Sequence, residues 1–388
     1  MLIAIAGTAG AAESSKLGAP DAAEDDLFGW SVAHDGSRVV VGAPDFAPRV
    51  FPRPTGSVAV FDAASGAFVR DLVPVAGELL SGDRYGVSVA AAGNRIVVGA
   101  SGADDVASGA GEVFVFDAAT GRQLGNLNPP SSRRNPASFV AFGSAVDISA
   151  DRIVVNAPGT FRGSASGVGA LYIYRADTFR QVARVVPGDA AFADNFGHAL
   201  SVAGSTIAAS SPWHDAAAQD GGAVYVLNSS NGSQRFKLTA NDAAVSDLFG
   251  FSVSTNGTLI AVGAPFDDDR GTSSGAVYLF NATTGVFMSK IVPADGAAGD
   301  QFGVAVDLVG NNLAIGAWGD DGGAGSVYVF DVTTGAQLDK LVASDAAALD
   351  ILGRSVALSS SEVVAGAPND DDGGRDSGSV YRFGLPTP

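Results

Sequence analysis

An aromatic–glycine pair recurs along the whole chain at nearly even intervals. A second motif, Gly-Ala-Pro or a variant of it, follows each pair at a constant offset. The seven pairs are Phe28-Gly29, Tyr85-Gly86, Phe142-Gly143, Phe196-Gly197, Phe249-Gly250, Phe302-Gly303 and, with leucine in the aromatic position, Leu352-Gly353. Self-similarity at a fixed period indicates a repeat architecture. The chain is therefore predicted to fold as seven copies of one structural unit.

Each repeat has the pattern of four short β-strands. The segment FGWSVAHDGSRVVVGAP alternates apolar and polar residues on both sides of Asp35-Gly36, a dipeptide that favours a hairpin turn. The segment GSVYVFDVTTGAQLDKLV does the same around Thr334-Gly335. Four strands in each of seven repeats predict an all-β, seven-bladed β-propeller with antiparallel blades. A β-solenoid and a pair of sandwiches fit less well, because the period is too long for one coil and seven units do not divide into two sandwiches.

The two chain ends are predicted to share the last blade. The seventh repeat stops after its third strand, near Phe383, and the missing fourth strand is found at the other end of the chain. There, the segment from Lys16 to Asp21 matches the segment from Lys340 to Asp345. Residues of about 12–19 should complete blade 7, which would remove an open sheet edge. The predicted organisation is an apolar lead-in (1–11), one propeller domain (12–384) and a short tail (385–388).

Composition narrows the classes of partner. The net charge of −18 argues against nucleic acid as a main partner. No apolar run reaches the roughly 20 residues of a membrane helix, so membrane insertion is not expected. The absence of cysteine excludes disulfides and thiol chemistry. A hydrophobic content of 46% is sufficient for a large core. We expect a monomer.

The alternation FG…GAP…GxVYVF resembles the FG-GAP repeats of the integrin α-subunit propeller, from about Lys16 to Phe383. The resemblance implies a seven-bladed propeller used outside the cell for adhesion or ligand binding, often with bound calcium. In the integrin repeats, calcium is held in an Asp-rich loop between the FG and GAP strands. That hairpin is short in all seven repeats here, so no calcium ligand can be assigned by resemblance. Four N-x-S/T sequons, at Asn228, Asn231, Asn256 and Asn281, are compatible with secretion.

Acidic residues recur seven and two positions before the FG pair in every repeat except the third. The pairs are Asp21/Asp26, Glu78/Asp83, Asp189/Asp194, Asp242/Asp247, Asp295/Asp300 and Asp345/Asp350. An aspartate in a tight connection commonly accepts backbone N–H bonds and fixes the turn. Six-fold recurrence favours that structural interpretation over a separate ligand role.

Further aspartates follow the GAP motif in repeats 5 to 7, where they are expected to approach the acid pairs of the same blade. Clustered carboxylates on glycine-rich loops suit calcium, which takes six to eight oxygen ligands. A solvated acidic rim that keeps the protein soluble is the equally weighted alternative. The candidate metal ligands are Asp242, Asp247, Asp267, Asp269, Asp295, Asp300, Asp320, Asp345, Asp350, Asp370 and Asp372.

The loops between second and third strands and the connections between blades are predicted to share one face, here called the variable face. Arginine beside aromatic residues is the usual composition of an interface hot spot, and Trp213-His214 could contact a sugar ring or a metal. The alternative is that these side chains pack on the blades, which we favour for Trp213 and Trp318. The candidate ligand-binding residues are Phe46, Arg49, Phe51, Arg53, Arg133, Arg134, Arg162, Trp213 and His214.

No catalytic constellation is visible in the sequence, and its paired carboxylates repeat blade by blade as scaffold elements do. The predicted function is a non-catalytic extracellular or cell-surface binding module. Its ligand would be a protein or glycan, acidic if the arginine loops bind it. A polysaccharide hydrolase or lyase acting on the variable face and a purely structural repeat domain are the two alternatives.

Overall fold

The computed structural model describes residues 12–44, 55–75, 78–80, 82–104, 106–130 and 139–385. They form seven four-stranded antiparallel sheets. The first strand of each sheet contacts the first strands of two neighbouring sheets, and these contacts close into a ring. The seven-bladed propeller predicted from the repeats is therefore confirmed. None of the helical segments in this part of the chain has the length and apolar character needed to cross a bilayer.

Blades 1 to 4 follow one another along the chain, and each blade is formed by four consecutive strands. Blade 1 contains β2 (Ser31–His34), β3 (Arg38–Ala43), β4 (Ser57–Asp62) and β5 (Phe68–Asp71). Blade 2 contains β6 (Tyr85–Ala92), β7 (Arg95–Ala100), β8 (Glu112–Asp117) and β9 (Gln123–Leu127). Blade 3 contains β10 (Val146–Ile148), β11 (Arg152–Asn156), β12 (Leu171–Arg175) and β13 (Gln181–Val185). Blade 4 contains β14 (Leu200–Ala203), β15 (Thr206–Ser211), β16 (Ala223–Asn228) and β17 (Gln234–Leu238).

Blades 5 and 6 repeat this arrangement, and blade 7 combines both ends of the propeller. Blade 5 contains β18 (Ser252–Thr255), β19 (Leu259–Ala264), β20 (Ala276–Asn281) and β21 (Phe287–Ile291). Blade 6 contains β22 (Ala305–Val309), β23 (Asn312–Ala317), β24 (Ser326–Asp331) and β25 (Ala336–Leu341), with one helical turn, α1 (Asp320–Gly323), between β23 and β24. Blade 7 contains β26 (Ser355–Leu358), β27 (Glu362–Ala367), β28 (Ser379–Gly384) and β1 (Glu13–Leu17).

Strand β1 closes the ring as the repeat register predicts. It pairs antiparallel with β28, with Lys16 opposite Tyr381 and Leu17 opposite Val380. Leu17 is buried at 4% exposure. It joins a core cluster that contains Phe28 and Val41 of the first repeat together with Val380. The first and last repeats are thus joined through one strand and one shared apolar core.

The hydrophobic core lies between blades rather than within them. One core cluster, for example, combines Val224 and Val226 of blade 4 with Phe249, Val262 and other residues of blade 5. Each core cluster contains the first residue of one FG pair, which is aromatic in six repeats and Leu352 in the seventh. Phe249 is fully buried and meets the ring of Tyr278 edge-on, with centroids 5.4 Å apart. Edge-to-face geometry is the preferred arrangement of aromatic pairs. The FG and VYVF motifs therefore recur together because they pack on each other.

The glycines of the two motifs allow adjacent blades to approach at backbone distance. A Cβ atom on Gly263 would lie 2.0 Å from the carbonyl oxygen of Gly303 in the next blade, closer than any side chain tolerates. Gly303 itself has a φ of +93°, a conformation that glycine adopts readily. The hydroxyl of Ser252 donates a 2.7 Å hydrogen bond to that same carbonyl. The constant offset between the motifs thus aligns one blade's GAP glycine with the next blade's FG glycine.

Candidate functional site

The loops that follow the second strands and the connections that precede the first strands meet on one face of the ring. In blade 5 the hydroxyl of Tyr278 lies 2.7 Å from a carboxylate oxygen of Asp267, on the first type of loop, and 2.8 Å from one of Asp242, on the second. The variable face inferred from the sequence therefore exists as one surface. It holds two different features, a peripheral set of charged clusters and a central channel mouth.

The acids two residues before each FG pair fix the turns in which they lie. Each carboxylate accepts a hydrogen bond of 2.6–2.7 Å from the backbone N–H three residues earlier. This geometry matches the structural interpretation of the repeated acids. Burial, with nearby carboxylates adding to it, raises the pKa of Asp247, Asp300 and Asp350 above its ordinary value. The acids that form these turns are Asp26, Asp83, Asp194, Asp247, Asp300 and Asp350.

In blades 4 to 7 the acids seven residues before the FG pair have a different partner, a lysine ammonium. In blade 5 the Nζ of Lys290, on β21, lies 2.9 Å from Asp242, 2.7 Å from Asp267 and 2.5 Å from Asp269. It also lies 5.0 Å from the ring centroid of Tyr278, within cation–π range. Burial disfavours the charged form of Lys290 and lowers its pKa. The hydrogen bonds to three carboxylates have the larger effect, so the pKa of Lys290 is raised above its usual value.

Blades 4, 6 and 7 contain equivalent lysine clusters, each formed by a fourth-strand lysine, a third-strand tyrosine and an acid from the connection between blades. The loop after the second strand adds one or two aspartates in blades 6 and 7 and His214 in blade 4. Lys340 contacts Asp295 and Asp320 in blade 6, and Lys16 contacts Asp345, Asp370 and Asp372 in blade 7. Lys237 contacts Asp189 and His214 in blade 4. The four lysines are the only lysines of the chain, and all precede the last apolar residue of a fourth strand. Sequence reasoning missed them, although this shared register was a usable signal.

Two of the lysine clusters have an acidic geometry that could hold a metal ion. Ligand oxygens of Asp242, Asp267 and Asp269 lie within 4.8 Å of one another, as do those of Asp345, Asp370 and Asp372. In both sets, however, a lysine ammonium already lies within hydrogen-bond distance of all three carboxylates. The residues present therefore fit a built-in ammonium better than calcium, because a bound cation would have to displace a charged lysine.

The central channel opens on the variable face through a ring of residues that follow the FG pairs. They surround a cavity of about 400 Å³. The guanidinium of Arg354 stacks over Trp30, 4.1 Å from its ring centroid, and lies 5.5 Å from that of Trp318. Burial lowers the pKa of Arg354 to about 10. Among the described residues no carboxylate forms an ion pair with this cation. The ring positions are Trp30, Val87, Ser144, His198, Phe251, Val304 and Arg354.

The ligand-binding residues predicted from the sequence do not form one site in the structure. Trp213 lies edge-on to His198 of the channel mouth, with centroids 5.0 Å apart, and so borders the mouth. Arg162 donates hydrogen bonds to the backbone carbonyls of Pro187 and Gly188, which ties blade 3 to the following connection. His214 belongs to the blade 4 lysine cluster. Six predicted residues lie outside the described part of the chain: Phe46, Arg49, Phe51, Arg53, Arg133 and Arg134.

The opposite end of the channel holds two carboxylates that connect neighbouring blades. Asp147 accepts a 2.6 Å hydrogen bond from the N–H of Val202 in the next blade, and Asp307 accepts one of 2.7 Å from Leu358. Both line a cavity of about 310 Å³. Burial raises the pKa of Asp147 to about 7, and burial also raises the pKa of Asp307. These groups are scaffold elements whose charge carries a desolvation cost.

This cost predicts an acid-shifted stability optimum. The folded-state pKa of Asp147 is raised, so the folded state binds more protons than the unfolded state between about pH 4 and 7, and its stability falls as pH rises through that window. The free energy of unfolding decreases by at most about 4 kcal/mol because of Asp147. Below about pH 4, protonation of the carboxylates paired with lysine, whose pKa values are lowered, destabilises the fold. The pKa of His198, which burial lowers to about 4, opposes this trend, because the unfolded state binds that proton between about pH 4 and 6.5. This is one group against the two buried carboxylates, so denaturant titrations across pH should show stability that falls between about pH 5 and 7.

Two other blades of the same chain suggest a variant that tests this pH dependence. In blades 4 and 5 the equivalent positions are Ser201 and Ser254, whose hydroxyls accept the same inter-blade N–H at 3.1 Å. The double change Asp147→Ser and Asp307→Ser keeps an acceptor and removes the titration. We expect it to flatten the slope between about pH 5 and 7 and to raise stability above that window. An unchanged slope would contradict the assignment of the pH dependence to these carboxylates.

A comparison with protein-family models identifies the repeat. The model described as the FG-GAP repeat matches residues 12–61, 75–116, 179–227, 233–280, 286–330 and 336–383, which is more than half of the chain. Residues 117–178 are not matched, yet the strands β10 to β12 that lie within them form, with β13, a four-stranded sheet like those of the other blades. A search of curated proteins finds no matching protein. With six matched segments in a ring of seven blades, the chain belongs to the FG-GAP repeat family.

Proposed function

We propose that this protein is a non-catalytic extracellular binding module that captures an anionic group of a protein or glycan ligand at the channel mouth of the variable face. The FG-GAP propeller fold fits a binding or structural module. Extracellular location, a role in adhesion and the absence of catalysis are parts of the proposal, and they are supported by the family's usual setting.

The observation that carries this proposal is the unpaired Arg354. Elsewhere on this face, Arg375 pairs with Asp25 at 2.8 Å, and Arg162 donates to backbone carbonyls. Arg270 forms no ion pair among the described residues, but its side chain is exposed to solvent. Arg354 instead has aromatic rings on its faces and no acid among the described residues within ion-pair distance. A guanidinium recognises a carboxylate or sulfate with two parallel hydrogen bonds, and this pairing strengthens when water is excluded.

Calcium is not needed in this proposal. The lysine clusters supply the positive charge that a cation would bring to the acidic loops, and none of their carboxylates belongs to the ring of residues at the channel mouth. Ligand capture is therefore expected to persist in a chelator. A strict requirement for calcium would instead favour a metal-bridged mode of binding.

The proposal is tested by calorimetric titration with oligogalacturonate and with a sulfated heparin oligosaccharide. Arg354→Gln should weaken binding by tenfold or more, because it removes the charge and leaves the aromatic walls. Arg375→Gln is the control, since it removes an exposed arginine from the same face, and it should change affinity less than twofold. Equal binding by both variants would overturn the assignment to Arg354. No binding by the wild type would favour the structural alternative, and depolymerisation of the glycan would favour the enzyme.

A further inference from the structure

Blade 4 has a second concave site on the variable face, separate from the cavity at the channel mouth. It is a pocket of about 390 Å³ between the connection at residues 191–195 and the loop at residues 213–220. Trp213 borders both sites, because it lines this pocket and contacts His198 at the channel mouth. We call it the blade 4 pocket.

The floor of the blade 4 pocket contains a histidine where blades 5 to 7 have an aspartate. His214 follows Ser210 at the same offset at which Asp267 follows Gly263. It is 9% exposed and lies 3.1 Å from the ammonium of Lys237. Its Nε2 atom also lies 3.6 Å from Asp189 and 4.0 Å from Asp194. An ammonium can only donate, so the contact with Lys237 assigns Nε2 as the acceptor, and in that tautomer the proton is on Nδ1.

That Nδ1–H group is a buried donor without an acceptor. It has no hydrogen-bond partner among the described residues. Buried polar groups in native proteins almost always have partners, so each exception requires an explanation. Nδ1 has less than 1 Å² of accessible surface, so a ligand hydroxyl or carbonyl oxygen supplies the missing acceptor once a small shift of the pocket floor exposes this atom. The change from aspartate to histidine thus replaces an acidic acceptor at the pocket floor with an N–H donor.

The walls of the pocket combine aromatic surface with uncommitted polar groups. Phe192 is 70% exposed at the rim, although a phenyl ring is normally buried. Neither the amide of Gln219 nor the carboxylate of Asp220 forms a side-chain hydrogen bond within the described residues. Asp215 accepts the backbone N–H of Asp220 through one oxygen and leaves the other available.

We propose that the blade 4 pocket binds an uncharged sugar ring. Apolar C–H faces of a pyranose can stack on Phe192 and Trp213, while its hydroxyls can accept from His214 and donate to Asp215 and Asp220. The surrounding carboxylates repel anions, so this site differs in ligand class from the channel mouth. The inference therefore goes beyond the proposed function and does not depend on Arg354.

The test uses saturation-transfer NMR and competition titrations with the methyl glycosides of glucose, galactose, mannose and N-acetylglucosamine. At least one should bind the wild-type protein, and Phe192→Ala should weaken that binding at least fivefold. Val245→Ala is the matched control, because Val245 has the same register in blade 5 and is 66% exposed. It should leave binding unchanged. The Nδ1–H resonance of His214 should shift on ligand addition.

The outcomes separate this inference from the proposed function. Arg354→Gln should retain neutral-sugar binding although it loses the anionic ligand. The inference is overturned if none of the four glycosides binds, or if Phe192→Ala and Val245→Ala weaken binding equally. It is also overturned if a glycoside binds without moving the His214 resonance. Gln219→Ala provides a second variant at an exposed loop position, and it should weaken binding without lowering the melting temperature.

Discussion

Deletion of residues 1–20 is expected to lower the melting temperature by about 6 °C. The deletion removes β1, so it exposes the edge of β28 and the core residues that Leu17 covers. Burial of the Leu17 side chain alone contributes about 2 kcal/mol to stability. It also removes the ammonium of Lys16 from Asp345, Asp370 and Asp372. Together these losses amount to about 5 kcal/mol, which corresponds to a shift of this size in a large domain. Thermal unfolding followed by circular dichroism measures it.

Two smaller changes separate the contributions of the N-terminal lead-in and of the Lys16 charge from that of strand β1 to ring closure. Deletion of residues 1–11 leaves β1 in place and should alter the melting temperature by no more than about 2 °C. Lys16→Met keeps the strand and its apolar stem but removes the charge, so it should produce an intermediate loss. An unchanged melting temperature after deletion of residues 1–20 would mean that the ring does not depend on its N-terminal strand.

Lys290→Met is expected to destabilise the protein by about 3 kcal/mol and to create a response to calcium. Removal of one partner from a buried ion pair leaves an uncompensated charge, and Asp267 has only 4% of its side chain exposed. The three carboxylates that remain are oxygen ligands of the kind that calcium prefers. Wild-type protein should unfold at the same temperature in calcium and in chelator, whereas Lys290→Met should gain stability when millimolar calcium is added.

Arg270→Met is the matched control for this variant. Arg270 lies on the same blade 5 loop, is exposed, and forms no side-chain ion pair within the described residues. Its loss should change neither stability nor calcium response by a measurable amount. If wild-type protein is stabilised by calcium, the ammonium of Lys290 does not substitute for the cation, and the hypothesis of calcium sites in blades 5 to 7 regains its support.

The fold was predictable because one short pattern is repeated seven times. Each FG aromatic residue packs against the third strand of its own blade, so the spacing of the motifs directly reflects a physical contact, as between Phe249 and Tyr278. Even blade 3, which lacks the acid pair and has Asn156 in place of the GAP glycine, keeps its register. Asn156 compensates by donating a 2.9 Å hydrogen bond to the carbonyl of Gly197 in the next blade.

The candidate sites were only partly predictable, because they depend on residues far apart in the chain. Aspartates near GAP suggested calcium, but Lys290 lies two strands after Asp267 and still occupies the centre of its cluster. Arg354 was not singled out at all, since nothing near it in sequence distinguishes it from any other arginine. Its surroundings come from Trp30, in the first repeat at the other end of the chain, and from Trp318 in the neighbouring blade.

The sequence by itself determined the number of blades, the strands within each blade and the closure of the ring, because these follow from local periodicity and from backbone contacts that recur at every repeat. Only the tertiary structure decided which charges are compensated. Ion pairing depends on distances of a few ångströms between side chains from different strands and loops. The same acidic composition therefore describes both an open metal site and a site already filled by lysine, and only the position of each ammonium distinguishes them.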